Sequence, residues 1–125
     1  MWEMSLGEFL DLAVDQNPEK VFVEISNQQI TYGQFQHEVR RTAAMFKDMG
    51  VGKDDRVCLF LPNCPEFLFC WFGLSVLGAI TVPVNTAYKR NEAAYIIENS
   101  EAVALVAHGS LLTVAKEAAE MVKNL

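Results

Sequence analysis

The chain has 125 residues, 51% of them hydrophobic, with 10 Lys and Arg against 16 Asp and Glu for a formal net charge of -6. That length predicts one domain or a piece of one, and the apolar fraction with only 7 Gly and 4 Pro excludes a disordered tail or a collagen-like repeat. The acidic surplus leaves no electrostatic footprint for a nucleic-acid partner.

Met1-Trp2-Glu3-Met4-Ser5 carries an acidic residue, not basic ones, before the first apolar stretch. This is the wrong pattern for a secretory signal, so no cleavage is expected. Ser5-Leu6-Gly7-Glu8 reads as a capping box, with a hydroxyl for the orphan amides of a first turn and a carboxylate three residues on. Leu6, Phe9, Leu10 and Ala13 then keep helical spacing until Pro18 marks the stop. Val21 to Ile25 and Gln29 to Thr31 are β-prone runs around Ser26-Asn27-Gln28, which predicts a small hairpin. Thr31-Tyr32-Gly33-Gln34 repeats the capping logic. Phe35, Val39, Ala43, Phe46 and Met49 recur on one face of the helix it starts, and Gly50 suits the left-handed position after its end.

Beyond a turn at Val51 to Asp55, the strand Arg56 to Leu61 contains the unbroken apolar run expected of a strand buried on both faces of a parallel sheet. Pro65 suits a first helical position, Glu66 favours the helix dipole, and an apolar helix runs on to Leu77. A strand from Ala79 to Val84, a helix from Asn91 to Asn99 and a strand from Ala102 to Ala107 follow. Ser110 is placed to cap a last helix whose Leu111, Ala115, Ala118, Val122 and Leu125 share a face.

Alternating apolar strands and helices predict the α/β class. The expected fold is a parallel, doubly wound sheet with flanking helices and a small N-terminal hairpin, the leading helix and hairpin lying at the sheet's margin. No repeat, linker or charge block divides the chain, so residues 1–125 read as a single unit. The uncharged stretch from Phe67 to Tyr88 approaches the roughly 20 apolar residues of a membrane span. Gly78 and Pro83 interrupt it, and its texture turns β-rich at Ile80-Thr81-Val82, so the expectation is a buried helix followed by a buried strand. Phe46 and Trp71 are expected core aromatics.

A phosphate site in this fold class would carry a Gly-rich loop between strand and helix, where backbone amides close around phosphate oxygens. Gly50-Val51-Gly52-Lys53 has the opposite polarity, following a helix and preceding a strand, and reads as a turn. No Ser lies in G-x-S-x-G, and His37 and His108 have no Asp or Cys partner at a recognisable spacing. His37 falls on a solvent face. His108 follows a strand at its carboxyl end, where α/β folds place ligands, although a solvated loop histidine is the plainer reading.

Cys58, Cys64 and Cys70 form no C-x-x-C pair, so they suggest neither a disulfide framework nor a zinc site. About 240° of helix separates Cys64 from Cys70, and the three read as small buried hydrophobes in a reducing cytoplasm. Phe67, Phe69, Trp71 and Phe72 read as a buried helix before an aromatic ligand box. Lys89 and Arg90, with Tyr88 beside them, are either candidates to meet an anion or plain solvated cations. No catalytic, cofactor-binding or metal-binding residue is assigned.

Ile30-Thr31-Tyr32-Gly33-Gln34-Phe35 resembles the first core motif of the adenylate-forming superfamily, and Leu77-Gly78-Ala79-Ile80-Thr81-Val82-Pro83-Val84-Asn85 resembles its second. Gly50 to Val57 and Leu61 to Phe67 are similar to the acyl-CoA synthetase branch. Asn63 to Phe72, NCPEFLFCWF, is especially similar to carnitine and crotonobetaine CoA ligases. The resemblance covers nearly the whole chain. It implies a parent that attacks ATP with a small carboxylic acid to form an acyl-adenylate and pyrophosphate. The parent then passes the acyl group to coenzyme A, using Mg and a mobile C-terminal domain.

The phosphate loop with its Lys, the adenine and ribose contacts and the catalytic Lys belong to later parts of such chains. The resemblance therefore makes residues 1–125 the N-terminal part of a large domain, a scaffold with no cofactor of its own. Arg90 stands where relatives often begin the next helix with a hydroxyl cap; Asn91 is expected to take that role and leave Arg90 free.

Three readings stay open at this point. One is an N-terminal fragment of an ATP-dependent acyl-CoA ligase, inactive alone, whose partner is the remainder of the parent polypeptide. Another is a small α/β module holding an anionic ligand at Asn85 to Arg90. The third is an interaction domain whose exposed apolar margin docks a partner.

Overall fold

The computed structural model describes residues 6–25 and 27–122. Helices α1 (Leu6–Gln16) and α2 (Tyr32–Asp48) bracket an antiparallel hairpin of β1 (Val21–Ile25) and β2 (Gln28–Thr31). Strands β3 (Arg56–Phe60), β4 (Ile80–Pro83) and β5 (Ala104–Ala107) alternate with α3 (Pro65–Val76) and α4 (Arg90–Asn99). A 3-10 turn at Gly109–Leu111 leads into α5 (Leu112–Glu120). The three strands form a parallel sheet in the order β4-β3-β5, with helices on both faces, which is the doubly wound α/β class.

Side-chain alternation along β3 decides which helices go where. Val57 and Leu59 face Phe46 of α2 and Cys70 and Leu74 of α3. Cys58 and Phe60 point the other way, onto Ala93, Ala94 and Ile97 of α4 and Ala115 and Ala118 of α5. Each large apolar chain buried in this way contributes about 1.5–3 kcal/mol relative to leaving it in water.

The hairpin and α1 pack behind α2 and α3 rather than at the sheet's margin, because the outer sides of those two helices are themselves apolar. Leu10, Phe35, Val39 and Phe72 form this third cluster, and the Phe22 ring stacks on Tyr32 at 4.6 Å and meets Phe35 edge-on at 5.0 Å.

Local chemistry explains most of the boundaries. Thr31 and Gln34 make the expected capping box: the Thr31 hydroxyl accepts from the Gln34 N–H at 3.1 Å, and the Gln34 side chain accepts from the Thr31 N–H at 2.9 Å. The capping box expected at Ser5 lies outside the described residues; Leu6, the first residue of α1, donates its N–H to the Ser75 hydroxyl of α3 at 3.2 Å. Helices α2 and α3 both end in a left-handed glycine, Gly50 (φ 93°) and Gly78 (φ 74°). The next amides, of Val51 and Ala79, return to the carbonyls of Phe46 and Leu74, closing a Schellman motif in each case. Helix α4 ends in the same way but with Glu101 at φ 59°, and the Ala102 N–H returns to Ile97 O. Those closures take Ala79 and Ala102 out of the strands, so β4 and β5 start later than the sequence pattern indicates.

Other expectations need correction. Helix α4 starts at Arg90 with Lys89 as N-cap, so Asn91 lies inside the helix and caps nothing. His108, not Ser110, caps the turn before α5: its Nδ1 accepts from the Ser110 N–H at 3.1 Å. Phe46 is fully buried, whereas Trp71 is 42% exposed, its ring 5.7 Å from that of Phe72. Strand β4 is not buried either, since among the described residues it has β3 on one side only, and Ile80 is 41% exposed. Among the described residues no helix is long and apolar enough to cross a membrane.

Candidate functional site

In a doubly wound sheet the place for a ligand is the crevice outside the carboxyl ends of the strands, where successive connections depart to opposite faces. Here β3 leads into α3 on one face and on to β4, while its other neighbour, β5, leads into α5 on the opposite face. The crevice therefore lies between the ends of β3 and β5. A groove of about 450 Å³ occupies that position, floored by Leu61, Val106 and Ala107 and walled by Thr42 and Met45 of α2 and Phe69 and Cys70 of α3. A second, open depression of about 670 Å³ lies between the hairpin and the start of α2, beside His37. Glu38 and Phe69 line both, so the two are neighbours.

Besides the thiol of Cys70, the ionisable side chains lining this surface are Glu38, Glu66, His37 and His108. Glu38 and Glu66 stand at its rim, and Glu38 is already paired with Arg41 at 3.2 Å. His37 and His108 are both exposed and line different stretches of the surface. The Nδ1 of His108 is committed to its own turn, lying 2.8 Å from the Ser110 hydroxyl. An apolar floor with acidic edges suits an apolar or protein surface better than a phosphate.

The helix starts that face the carboxyl ends are equally ill-suited to an anion. Pro65 opens α3 without an N–H, and Glu66 occupies its first turn. At α4 the Glu92 carboxylate accepts from the Lys89 N–H at 3.3 Å. The loop from Asn85 to Arg90 does not aim its groups at a common point. Asn85 Oδ1 accepts from the Ala87 N–H at 2.9 Å, Tyr88 packs on the α4–α5 core, and Arg90 pairs with Glu117 of α5 at 3.1 Å. Arg90 is thus paired, contrary to the expectation from the sequence that it would be free. Among the described residues no three His, Cys, Asp or Glu come together to hold a metal ion.

Cys58 and Cys70 are buried on opposite faces of the sheet, and Cys64 is half-buried against the cluster that contains Cys70. Cys64 precedes α3 in extended backbone, so the angular separation of two residues within a helix does not apply to this pair. Burial pushes all three thiols up; that of Cys70 reaches about 11, with Cys64 and Glu66 adding to the effect. These are protonated, inert packing groups at neutral pH. The aromatic run of α3 is divided: Phe67 joins the sheet-facing core, Phe69 and Phe72 the outer core, and Trp71 faces solvent.

Sequence reasoning missed Glu38, Thr42, Met45 and Phe69 as lining of the crevice. Their spacing on α2 and α3 was visible, but which strand ends they overhang depends on strand order, and one sequence does not state that order.

Comparison with known proteins gives the wider setting. Residues 10–125 match the family described as AMP-binding enzyme. A crotonobetaine/carnitine–CoA ligase of Escherichia coli is 50% identical over 76 residues, which is 61% of this chain and 15% of that protein. A benzoate CoA ligase from Burkholderia xenovorans superposes with a TM-score of 0.87 at 23% identity, over 94% of this chain and 24% of the other. An anthranilate CoA ligase solved with anthranoyl-AMP gives 0.91 at 24% identity, over 98% of this chain and again 24% of the other. The chain therefore spans about a quarter or less of each of these relatives. With the family matched along nearly its whole length, and the fold shared with solved members of the ligase class, the chain belongs to the AMP-binding enzyme family.

Proposed function

We propose that residues 1–125 are one unit, the N-terminal scaffold of the large domain of an AMP-forming acid–CoA ligase, and that the unit is inactive without the rest of that polypeptide. The parent activates a carboxylic acid with ATP and Mg as an acyl-adenylate, releases pyrophosphate, and transfers the acyl group to coenzyme A in the cytoplasm. Its acid is small or bears a trimethylammonium group. The observation that carries the reading is the 50% identity to a crotonobetaine/carnitine–CoA ligase within a family match over residues 10–125.

The described residues do not fit Mg–ATP by themselves, which supports inactivity alone. Pro65 lends no N–H at the start of α3, Glu66 and Glu92 sit in the first turns of α3 and α4, and the chain carries a charge of -6. A triphosphate needs fixed donors and counter-charge, and these groups supply the opposite.

Calorimetry with ATP on residues 1–125, and carboxylate-dependent pyrophosphate exchange on the full reading frame, test the two halves. No measurable ATP affinity in the first, and exchange with carnitine or a small acid in the second, are expected. Micromolar ATP binding by residues 1–125 overturns the scaffold reading, and a full-length protein without carboxylate-dependent exchange overturns the ligase.

A further inference from the structure

The crevice between the ends of β3 and β5 sets an apolar floor, an aromatic ring and an unpaired carboxylate beside one another. Leu61, Val106 and Ala107 form the floor, and the α3 wall carries the half-buried ring of Phe69. Among the described residues no Lys or Arg lines it. The two carboxylates at the rim are not equivalent. Glu38 shares its charge with Arg41 at 3.2 Å, one turn along α2. Glu66 has no Lys or Arg partner among the described residues, and its neighbours are the thiols of Cys64 and Cys70, both held protonated by burial. Glu66 and Phe69 stand three residues apart on α3, which puts carboxylate and ring on one face of the helix. The Nδ1 of His108 accepts the Ser110 N–H, so that nitrogen carries no proton in this geometry.

These features discriminate among ligands. A phosphate or a free carboxylate meets two like charges. A purely apolar cover takes Glu66 out of water with nothing to pair it, and burying an uncompensated charge is costly. A primary ammonium or a guanidinium brings three or more N–H donors, and the side chains of the floor offer no acceptor. A quaternary ammonium meets none of these objections. Its charge is spread over methyl groups, it has no N–H to satisfy, and it is attracted both by an aromatic face and by a carboxylate beside that face. Met45, on the α2 wall, adds a polarisable thioether. At about 450 Å³ the groove falls in the range of small-ligand sites and has room for such a head with a short chain attached.

We propose that this crevice binds a quaternary ammonium cation, held against the Phe69 ring with Glu66 as its counter-charge. The proposal deepens the ligase reading and rests on it for the source of the cation, which is the trimethylammonium head of the acid. Glu66 and Phe69 are then residues by which this chain takes part in selecting the substrate.

Tetramethylammonium chloride titrated into the full reading frame, with binding read from saturation-transfer NMR of its methyl signal at constant ionic strength, tests the site directly. The control is tert-butanol, which has a similar shape and no charge. Saturable binding of tetramethylammonium in the millimolar range is expected, with none of tert-butanol at the same concentrations. Glu66→Gln keeps the shape of an exposed side chain and is expected to weaken binding about fivefold, whereas Glu38→Gln costs less than about twofold because Arg41 already shares that charge. Absence of saturation, equal binding of tert-butanol, or undiminished binding by Glu66→Gln overturns the site. In pyrophosphate exchange, the KM for an acid bearing a trimethylammonium group, relative to that for its isostere with carbon in place of nitrogen, is expected to rise about fivefold in Glu66→Gln. An unchanged ratio overturns Glu66 as the counter-charge. A protein active in exchange but blind to tetramethylammonium overturns this inference alone. One that binds tetramethylammonium through Glu66 but shows no carboxylate-dependent exchange overturns only the ligase reading.

Discussion

Gly73 of α3 lies so close to Ala43 of α2 that a Cβ built on it would sit 3.2 Å from the Ala43 backbone nitrogen and 3.3 Å from Thr42 Cγ2. The neighbour is helix backbone, which yields only if α2 moves, and α2 also carries Phe46 into one core and Phe35 and Val39 into another. Replacing Gly73 by Ala sets a gain of about 1 kcal/mol in helix propensity against an overpacking cost of about 1–3 kcal/mol. A net loss of stability is expected, and a larger one for Gly73→Leu. Denaturant midpoints of the two variants check it, and a stabilised Gly73→Ala would show that the two helices separate easily.

Phe46 and Trp71 are expected to behave differently although both are aromatic residues on apolar helices. Phe46→Ala empties a fully enclosed site between α2 and the sheet, with an expected cost of about 3–5 kcal/mol. Trp71→Ala removes a ring that is 42% exposed, so less than about 2 kcal/mol is expected. Urea melts of both in the same background give the comparison; equal losses would contradict the burial difference.

Glu101 holds the left-handed position at the end of α4 that Gly50 and Gly78 hold at the ends of α2 and α3. Its side chain is exposed, so no packing is lost on removing it. Glu101→Gly is expected to stabilise the chain by about 0.5–1 kcal/mol through relief of that conformation. Gly78→Ala is expected to do the reverse, since its Cβ would also come within 3.3 Å of Lys53 Cγ. Thermal melts at one pH check both signs.

The buried thiols make stability fall in alkali. With the folded-state value of Cys70 raised from 9.0 to about 11, the unfolded chain loses its proton first as pH rises. The contribution is fully present below pH 9.0 and is lost progressively toward pH 11. Cys70→Ala is expected to flatten that part of the stability profile while lowering stability at pH 7 through the cavity it leaves. Denaturation curves across this pH range test the slope.

Much of the architecture was legible in the sequence because it is specified locally. Thr31 with Gln34, Pro65 with Glu66, and the glycines at 50 and 78 mark helix ends through bonds made within a few residues, and the apolar run of β3 declares burial on both faces. Left to the tertiary structure were the consequences of strand order. Trp71 and Ile80 are as apolar as their buried neighbours, and it is because no element among the described residues covers them that they stay exposed. Arg90 reads as a free cation until α5 folds back and brings Glu117 within 3.1 Å. The crevice exists only because β5 crosses to the far side of β3, a long-range choice made by the handedness of the chain rather than by any residue lining it.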